Sequence, residues 1–160
     1  MIGLSGVRSE RFTLDTNILI YSVDRQAGPR HAAAIDIIKR ATLAPDCWLT
    51  LQSVSEFYAA TARKRLVPPQ EAATIAAEWL ELFPSLPSTA AAIRTALQLS
   101  TGGRASYWDA LLIATAAEGG CTAVLTEDLA DGAVLAGVRI VHPFAAAGLT
   151  PAAHALLALA

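Results

Sequence analysis

Apolar positions along the chain fall into two alternating kinds of run. Short runs rich in branched or aromatic residues predict β-strands at Phe12 to Leu14, Cys47 to Thr50, Ala123 to Leu125 and Arg139 to Val141. Longer Ala-rich stretches with apolar residues at helical spacing predict helices over Asn17 to Val23, His31 to Thr42, Gln52 to Lys64, Pro69 to Phe83, Thr89 to Ser100 and Tyr107 to Glu118. Their ends are punctuated accordingly: Pro29 precedes the second helix, Pro45 follows it, Pro68 and Pro69 open the fourth, and Gly119 and Gly120 close the last. Strands alternating with helices in this way indicate an α/β domain with a central, mostly parallel sheet of about four or five strands flanked by helices. The segment "AAAGLTPAAHALLALA" reads as a C-terminal tail or a loose helix docked on its neighbours.

A length of 160 residues suits one domain spanning 1–160, with a core over 12–144 and the tail or helix at 145–160. The hydrophobic share of 54% and mean hydropathy of +0.43 are inflated by Ala. No stretch of about 18 apolar residues runs without a charge or a breaker, so a soluble chain with no membrane contact is expected. The start, "MIGLSGVRSERF", lacks a charged lead followed by a long apolar block, which argues against a secretion signal and for the cytoplasm. Cys47 and Cys121, far apart and in apolar settings, suit buried reduced thiols better than a disulfide or a zinc site.

Twelve Lys and Arg against 14 Asp and Glu give a net charge of -2, which excludes strong nonspecific nucleic-acid binding through bulk charge. A local basic rim remains open. Arg63, Lys64 and Arg65 form the densest positive stretch, which reads equally well as a solvated helix end.

Candidate chemistry centres on acids at strand-helix seams. Asp15 follows the first strand directly, Glu56 stands just inside the helix after the second, Asp109 opens the last long helix, and Asp128 lies just past the third strand. Each has a local explanation: Asp15 as a helix N-cap, Ser53-x-x-Glu56 and Ser106-x-x-Asp109 as capping boxes, and Glu127, Asp128 and Asp131 as an exposed polar turn. Yet the carboxyl ends of parallel strands are where ligand sites form. If the acids converge, their repulsion calls for a cation, and an all-carboxylate set selects a hard ion such as Mg²⁺ or Mn²⁺.

The ordered series "LDTNILIY", "SVSEFYAATARK", "YWDALLIATA" and "LTEDLADG" resembles the PIN-domain ribonucleases, and more narrowly the VapC-type toxins of bacterial toxin-antitoxin modules. The likeness runs from about Phe12 to about Phe144. It implies a PIN-like three-layer fold and a metal-dependent endoribonuclease. The implied catalytic and metal-binding residues are Asp15, Glu56, Asp109 and Asp128, supported by Thr16, Asn17 and Thr126, with Glu127 ranked below Asp128 for the fourth role. Asp15 is then expected both to cap its helix and to bind the ion. His142 stands where the family's closing strand commonly has a small polar residue.

Further implications are an RNA substrate, a cognate antitoxin that blocks the acids, and a homodimer. Arg104, just ahead of the Asp109 helix, is the preferred phosphate contact, with Arg63, Lys64 and Arg65 also flanking the site. Tyr107 and Trp108 can stack on unpaired bases, although aromatics opening an apolar helix more often pack in a core or interface. Trp79 and Phe83 pose the same choice between core and partner face, with core as the default. Two rivals remain. A haloacid-dehalogenase-type phosphatase needs a second acid where Asn17 stands, and a non-catalytic binding module on the same fold would tolerate a missing acid, of which there is none.

Overall fold

The computed structural model describes residues 10–158. The stretch before Glu10, read above for a secretion signal, and the last two residues of the tail lie outside them. In chain order the elements are β1 (Phe12–Leu14), α1 (Thr16–Tyr21), α2 (Pro29–Leu43), β2 (Leu49–Thr50), α3 (Leu51–Lys64), α4 (Pro69–Leu82) and β3 (Ser85–Leu86). They continue with α5 (Ala90–Thr101), α6 (Tyr107–Glu118), β4 (Ala123–Leu125), β5 (Val134–Leu135), β6 (Val138–Val141) and α7 (Pro151–Leu157).

A four-stranded sheet runs in the order β1-β4-β6-β5. Its first three strands are parallel, and β5 joins the edge antiparallel to β6. Strands β2 and β3 form a parallel pair, tied to β1 by one bridge between Phe12 and Cys47. The mostly parallel α/β sheet is therefore as expected. The second strand is shorter than the Cys47 to Thr50 reading, and β3 and β5 are additions to it.

Side chains of β4 alternate between two cores, as strand geometry requires. Ala123 and Leu125 join Phe12, Leu14, Ile18, Leu19 and Ile37 on one face, whereas Val124 joins Leu112, Ile113, Val138 and Ile140 on the other. Helices α1 and α2 thus cover one face and α6 the other, giving three layers. Helix α6 is buried along Ala110 to Ala116, consistent with its lack of a polar stripe. Trp79 and Phe83 are core residues, Trp79 packing on Phe57 with ring centroids 4.5 Å apart, so neither forms an exposed partner face. Cys47 and Cys121 are free and buried. The C-terminal segment forms α7, capped by Thr150 and seated through Ala153 and Leu157. Among the described residues no helix is long and apolar enough to cross a membrane.

Parallel pairing aligns Leu14 with Leu125 and Leu125 with Val141, so these strands end together. Asp15 N then donates to Leu125 O at 3.0 Å, and Thr126 N to Val141 O at 3.1 Å. The residues one step past each strand are thereby set side by side at the same rim.

Candidate active site

Asp15 occupies the N-cap position of α1, but its side chain makes no capping hydrogen bond. The expectation that it caps its helix is corrected here. Its Oδ2 instead accepts from Thr126 Oγ1 at 2.9 Å, and the residue is 6% exposed. The register of β1 and β4 accounts for the exchange, because it brings Thr126 within reach and turns the acid toward the strand ends.

Glu56 is not a capping-box member either. Helix α3 is capped by Thr50, which accepts from Ser53 N at 3.1 Å, and this leaves Glu56 in the second turn. There its Oε1 accepts from Gln52 Nε2 at 2.6 Å and its Oε2 from Thr16 Oγ1 at 3.4 Å. Packing of α1 on α3 places Thr16, next to Asp15, against it.

Asp109 does sit in a cap arrangement. Ser106 caps α6 by accepting from Asp109 N at 3.3 Å, and its Oγ donates to Asp109 Oδ2 at 2.8 Å. Asp128 follows the end of β4, where its N donates to Thr126 Oγ1 at 3.2 Å and its Oδ2 accepts from Asn17 Nδ2 at 3.1 Å. Thr16, Asn17 and Thr126 each hold an acid.

The electrostatics group three of the four. Burial, followed by a carboxyl-carboxyl hydrogen bond and the charge of Asp128, pushes Asp15 up to about 7, with Asp109 adding a smaller push. Asp109 is raised too, by burial first and then by the charge of Asp128, against the pull of Ser106. Glu56 lies beside this trio, connected through Thr16.

Glu127 belongs elsewhere. Burial alone pushes it up, but hydrogen bonds from Tyr21 and Arg30, together with the Arg30 charge, outweigh burial and hold it below the usual carboxylate range. Tyr21 OH donates to Glu127 at 2.7 Å, and Arg30 grips it through Nε and Nη2. This carboxylate is already neutralised.

That contrast separates the acids. Asp15, Glu56, Asp109 and Asp128 are each held by neutral donors, from Thr, Gln, Ser or Asn, and none is in an ion pair among the described residues. Neutral donors orient a carboxylate while leaving its charge available. Among the described residues no three His, Cys, Asp or Glu side chains stand ready-grouped as a metal cage. The donor chemistry nevertheless fits a divalent cation: the oxygens are hard, and a buried acid pressed by two others lacks a counter-charge.

The positive residues lie farther out. Arg104 is exposed in the turn leading to Ser106 and Asp109. Arg63, Lys64 and Arg65 are exposed at the C-terminal end of α3, where Arg63 is about 10 Å along the axis from Glu56. Of the core and interface readings, Trp108 excludes the core: it is 61% exposed, in edge contact with the half-buried Tyr107. Sequence reasoning did not single out Gln52, which bridges Glu56 and the Trp108 carbonyl. Its place one helical turn before Glu56 was the available signal.

The PIN domain family matches residues 12–130. Several solved structures are similar to the chain. VapC20 of Mycobacterium tuberculosis, described as a Sarcin-Ricin loop cleaving toxin, aligns with a TM-score of 0.57 and 18% identity over 71% of this chain and 86% of that one. A toxin-antitoxin complex from Klebsiella pneumoniae gives 0.59 and 20% over 82% and 97%. DNA-bound VapBC from Salmonella typhimurium gives 0.59 and 18% over 83% and 98%. At these identities the structural likeness shows a shared fold. A search of curated protein sequences returns no match.

Proposed function

The chain belongs to the PIN domain family, and from that premise we propose that it is a metal-dependent endoribonuclease, the toxin of a toxin-antitoxin pair. One observation carries the reading: Asp15 and Asp128 past the strand ends, Asp109 within their field and Glu56 joined through Thr16 are oriented by neutral donors and left without cationic partners among the described residues. A buried carboxylate is ordinarily paired with a cation, and Asp15, 6% exposed, has none among the described residues, whereas the partly buried Glu127 is paired with Arg30.

Asp15, Asp109 and Asp128 would hold Mg²⁺ or Mn²⁺, with Glu56 as a further ligand or as the group that orients the attacking water. A divalent ion bound there supplies acidity to water and neutralises charge gathering on the phosphoryl oxygens. The chain's own part is positioning. Thr126 fixes Asp15, Ser106 fixes Asp109, Asn17 fixes Asp128, and Gln52 fixes Glu56, so the carboxylates need little reorganisation as the reaction proceeds. Water attack in line with the leaving 3′-oxygen yields a 5′-phosphate and a 3′-hydroxyl.

Exposed Arg104 and Trp108 stand at the α6 end of the site, suited to a backbone phosphate and an unpaired base. Arg63, Lys64 and Arg65 would serve longer substrates. Neighbours solved as toxin-antitoxin complexes support a cognate antitoxin partner; an antitoxin that covers the acids, a homodimer and a cytoplasmic setting complete the proposal. A non-catalytic binding module is the second reading, and no feature of the site favours it.

Purified protein incubated with total bacterial RNA tests the proposal. Discrete fragments with 5′-phosphate ends should appear with Mg²⁺ or Mn²⁺ and be absent with EDTA or in folded Asp109→Asn. No metal-dependent cut on any RNA class by folded protein would overturn it.

A further inference from the structure

Glu127, next in the chain to Asp128, also lines a separate cavity of ≈ 450 Å³ with Arg30, His142, Phe144, Ala145 and Gly148. That volume lies within the range of about 300–1,000 Å³ typical of small-ligand pockets. Asp15, Glu56, Asp109 and Asp128 do not line it, and the groups that do have a different chemistry.

Arg30 is the first of these. Its side chain is 49% exposed, yet Glu127 takes its Nε and Nη2 at 3.0 to 3.3 Å. A cation compensated in this way is a poor phosphate anchor, but its guanidinium keeps a flat face and an Nη1 with no partner among the described residues. That plane sits with Cζ 5.7 Å from the centroid of Phe144. Close carbon contact comes at about 3.5–4.0 Å, so the two are near each other without being tightly stacked.

Tyr21 makes the arrangement rigid. It meets Phe144 edge-on at 5.8 Å and donates to Glu127 at 2.7 Å, which fixes both the ring and the carboxylate that aims Arg30. His142 contributes an edge group. Its Nε2 faces the carbonyl of Leu129, which can only accept, so that nitrogen carries the proton. In the neutral ring Nδ1 is then an acceptor, and it has no protein partner among the described residues.

An aromatic face, a planar donor whose charge is compensated by Glu127, and a free acceptor are the groups that read a splayed-out nucleobase. We propose that this cavity is a base-binding subsite, taking one unpaired nucleobase of the RNA strand that is cut at the adjoining acids. It rests on the nuclease reading for the identity of the strand. It gives the enzyme a sequence preference set by Arg30, His142 and Phe144, apart from the residues that perform the cut.

The test is NMR titration of the full chain in EDTA with adenosine, guanosine, cytidine and uridine, and separately with inorganic phosphate, following the amides of Ala145, Ala146 and Gly148. At least one nucleoside should shift these signals saturably while phosphate does not. Phe144→Leu should weaken that binding by about tenfold, and Arg30→Lys, which keeps the charge but loses the plane, should weaken it as well. Shifts of equal size with phosphate, full affinity in Arg30→Lys, or no shift with any nucleoside at millimolar concentration would overturn the proposal. Because nothing is cleaved in this experiment, its failure is distinct from failure of the nuclease assay.

Discussion

Thr126 lies 111 positions after Asp15, yet its hydroxyl donates to Asp15 Oδ2 at 2.9 Å. The same oxygen accepts from Asp128 N at 3.2 Å, so one small side chain joins the ends of two parallel strands and aims two acids. The β1 to β4 register, which pairs Leu14 with Leu125, makes this contact possible.

Replacing that hydroxyl with a methyl of the same shape should therefore be felt twice. Thr126→Val leaves Asp15 without its donor and Asp128 N without its acceptor, and should lower stability by about 1–2 kcal/mol in urea unfolding. RNA cleavage should fall by about tenfold or more through misplaced carboxylates.

Asp15 should destabilise the metal-free protein at neutral pH. Its folded-state value of about 7 lies above the ordinary 3.8, so the folded chain binds the proton more tightly than the unfolded chain. Stability contributed by that proton is fully present below about pH 4 and is lost as the pH rises through about 7. In EDTA, Asp15→Asn should remove this slope and melt higher than wild type above neutral pH, by on the order of 2 kcal/mol. A variant that melts lower at every pH would contradict the burial argument.

Glu127 and Asp128 are neighbours with opposite expectations. Glu127 is neutralised by Arg30 and Asp128 is held by Asn17. Glu127→Gln should keep the cleavage rate at saturating RNA within about fivefold, any loss falling on RNA binding through Arg30, whereas Asp128→Asn should reduce that rate by about a hundredfold or more. Side-by-side initial rates of the two folded variants decide which acid works.

Glu56 and Asp109 should also differ. Asp109 shares the field of Asp128, while Glu56 is held by Gln52 and Thr16. Single-turnover cleavage should drop by about a hundredfold or more in Asp109→Asn and by about ten- to a hundredfold in Glu56→Gln.

Elements were legible where an apolar run is set off by clear punctuation, as Asp15 ends the first strand run and Gly119 and Gly120 stop the last long helix. β1, β4 and α6 appear at the predicted bounds. The two missed strands are two residues each, too short to show a period. Ser85 and Leu86 are enclosed by Pro84 and Pro87, which read as a breaker. The hairpin from β5 to β6 turns through Ala136 and Gly137, both at positive φ, and an Ala in the left-handed region conceals the usual Asn-Gly or Asp-Gly signal.

Positions of the acids were legible, but their partners were not. Asp15 reads as a cap and Glu56 as a capping-box member because both rules depend only on local spacing. Tertiary contacts overrule them in one case and the cap position in the other: strand register hands Asp15 to Thr126, and Thr50, three residues before Ser53, takes the α3 cap. The placement of Trp108 is hidden for a similar reason. Helix α6 is apolar nearly throughout, so its sequence does not reveal which side of the first turn faces outward.

Calorimetric titration of Mn²⁺ into the metal-free protein above neutral pH addresses the central claim most directly. Wild type should bind saturably, and folded Asp109→Asn and Asp128→Asn should each bind at least about tenfold more weakly, while Glu127→Gln binds as wild type does. Equal affinity in wild type and both Asp variants, or no saturable binding to wild type, would contradict a cation site built from these acids.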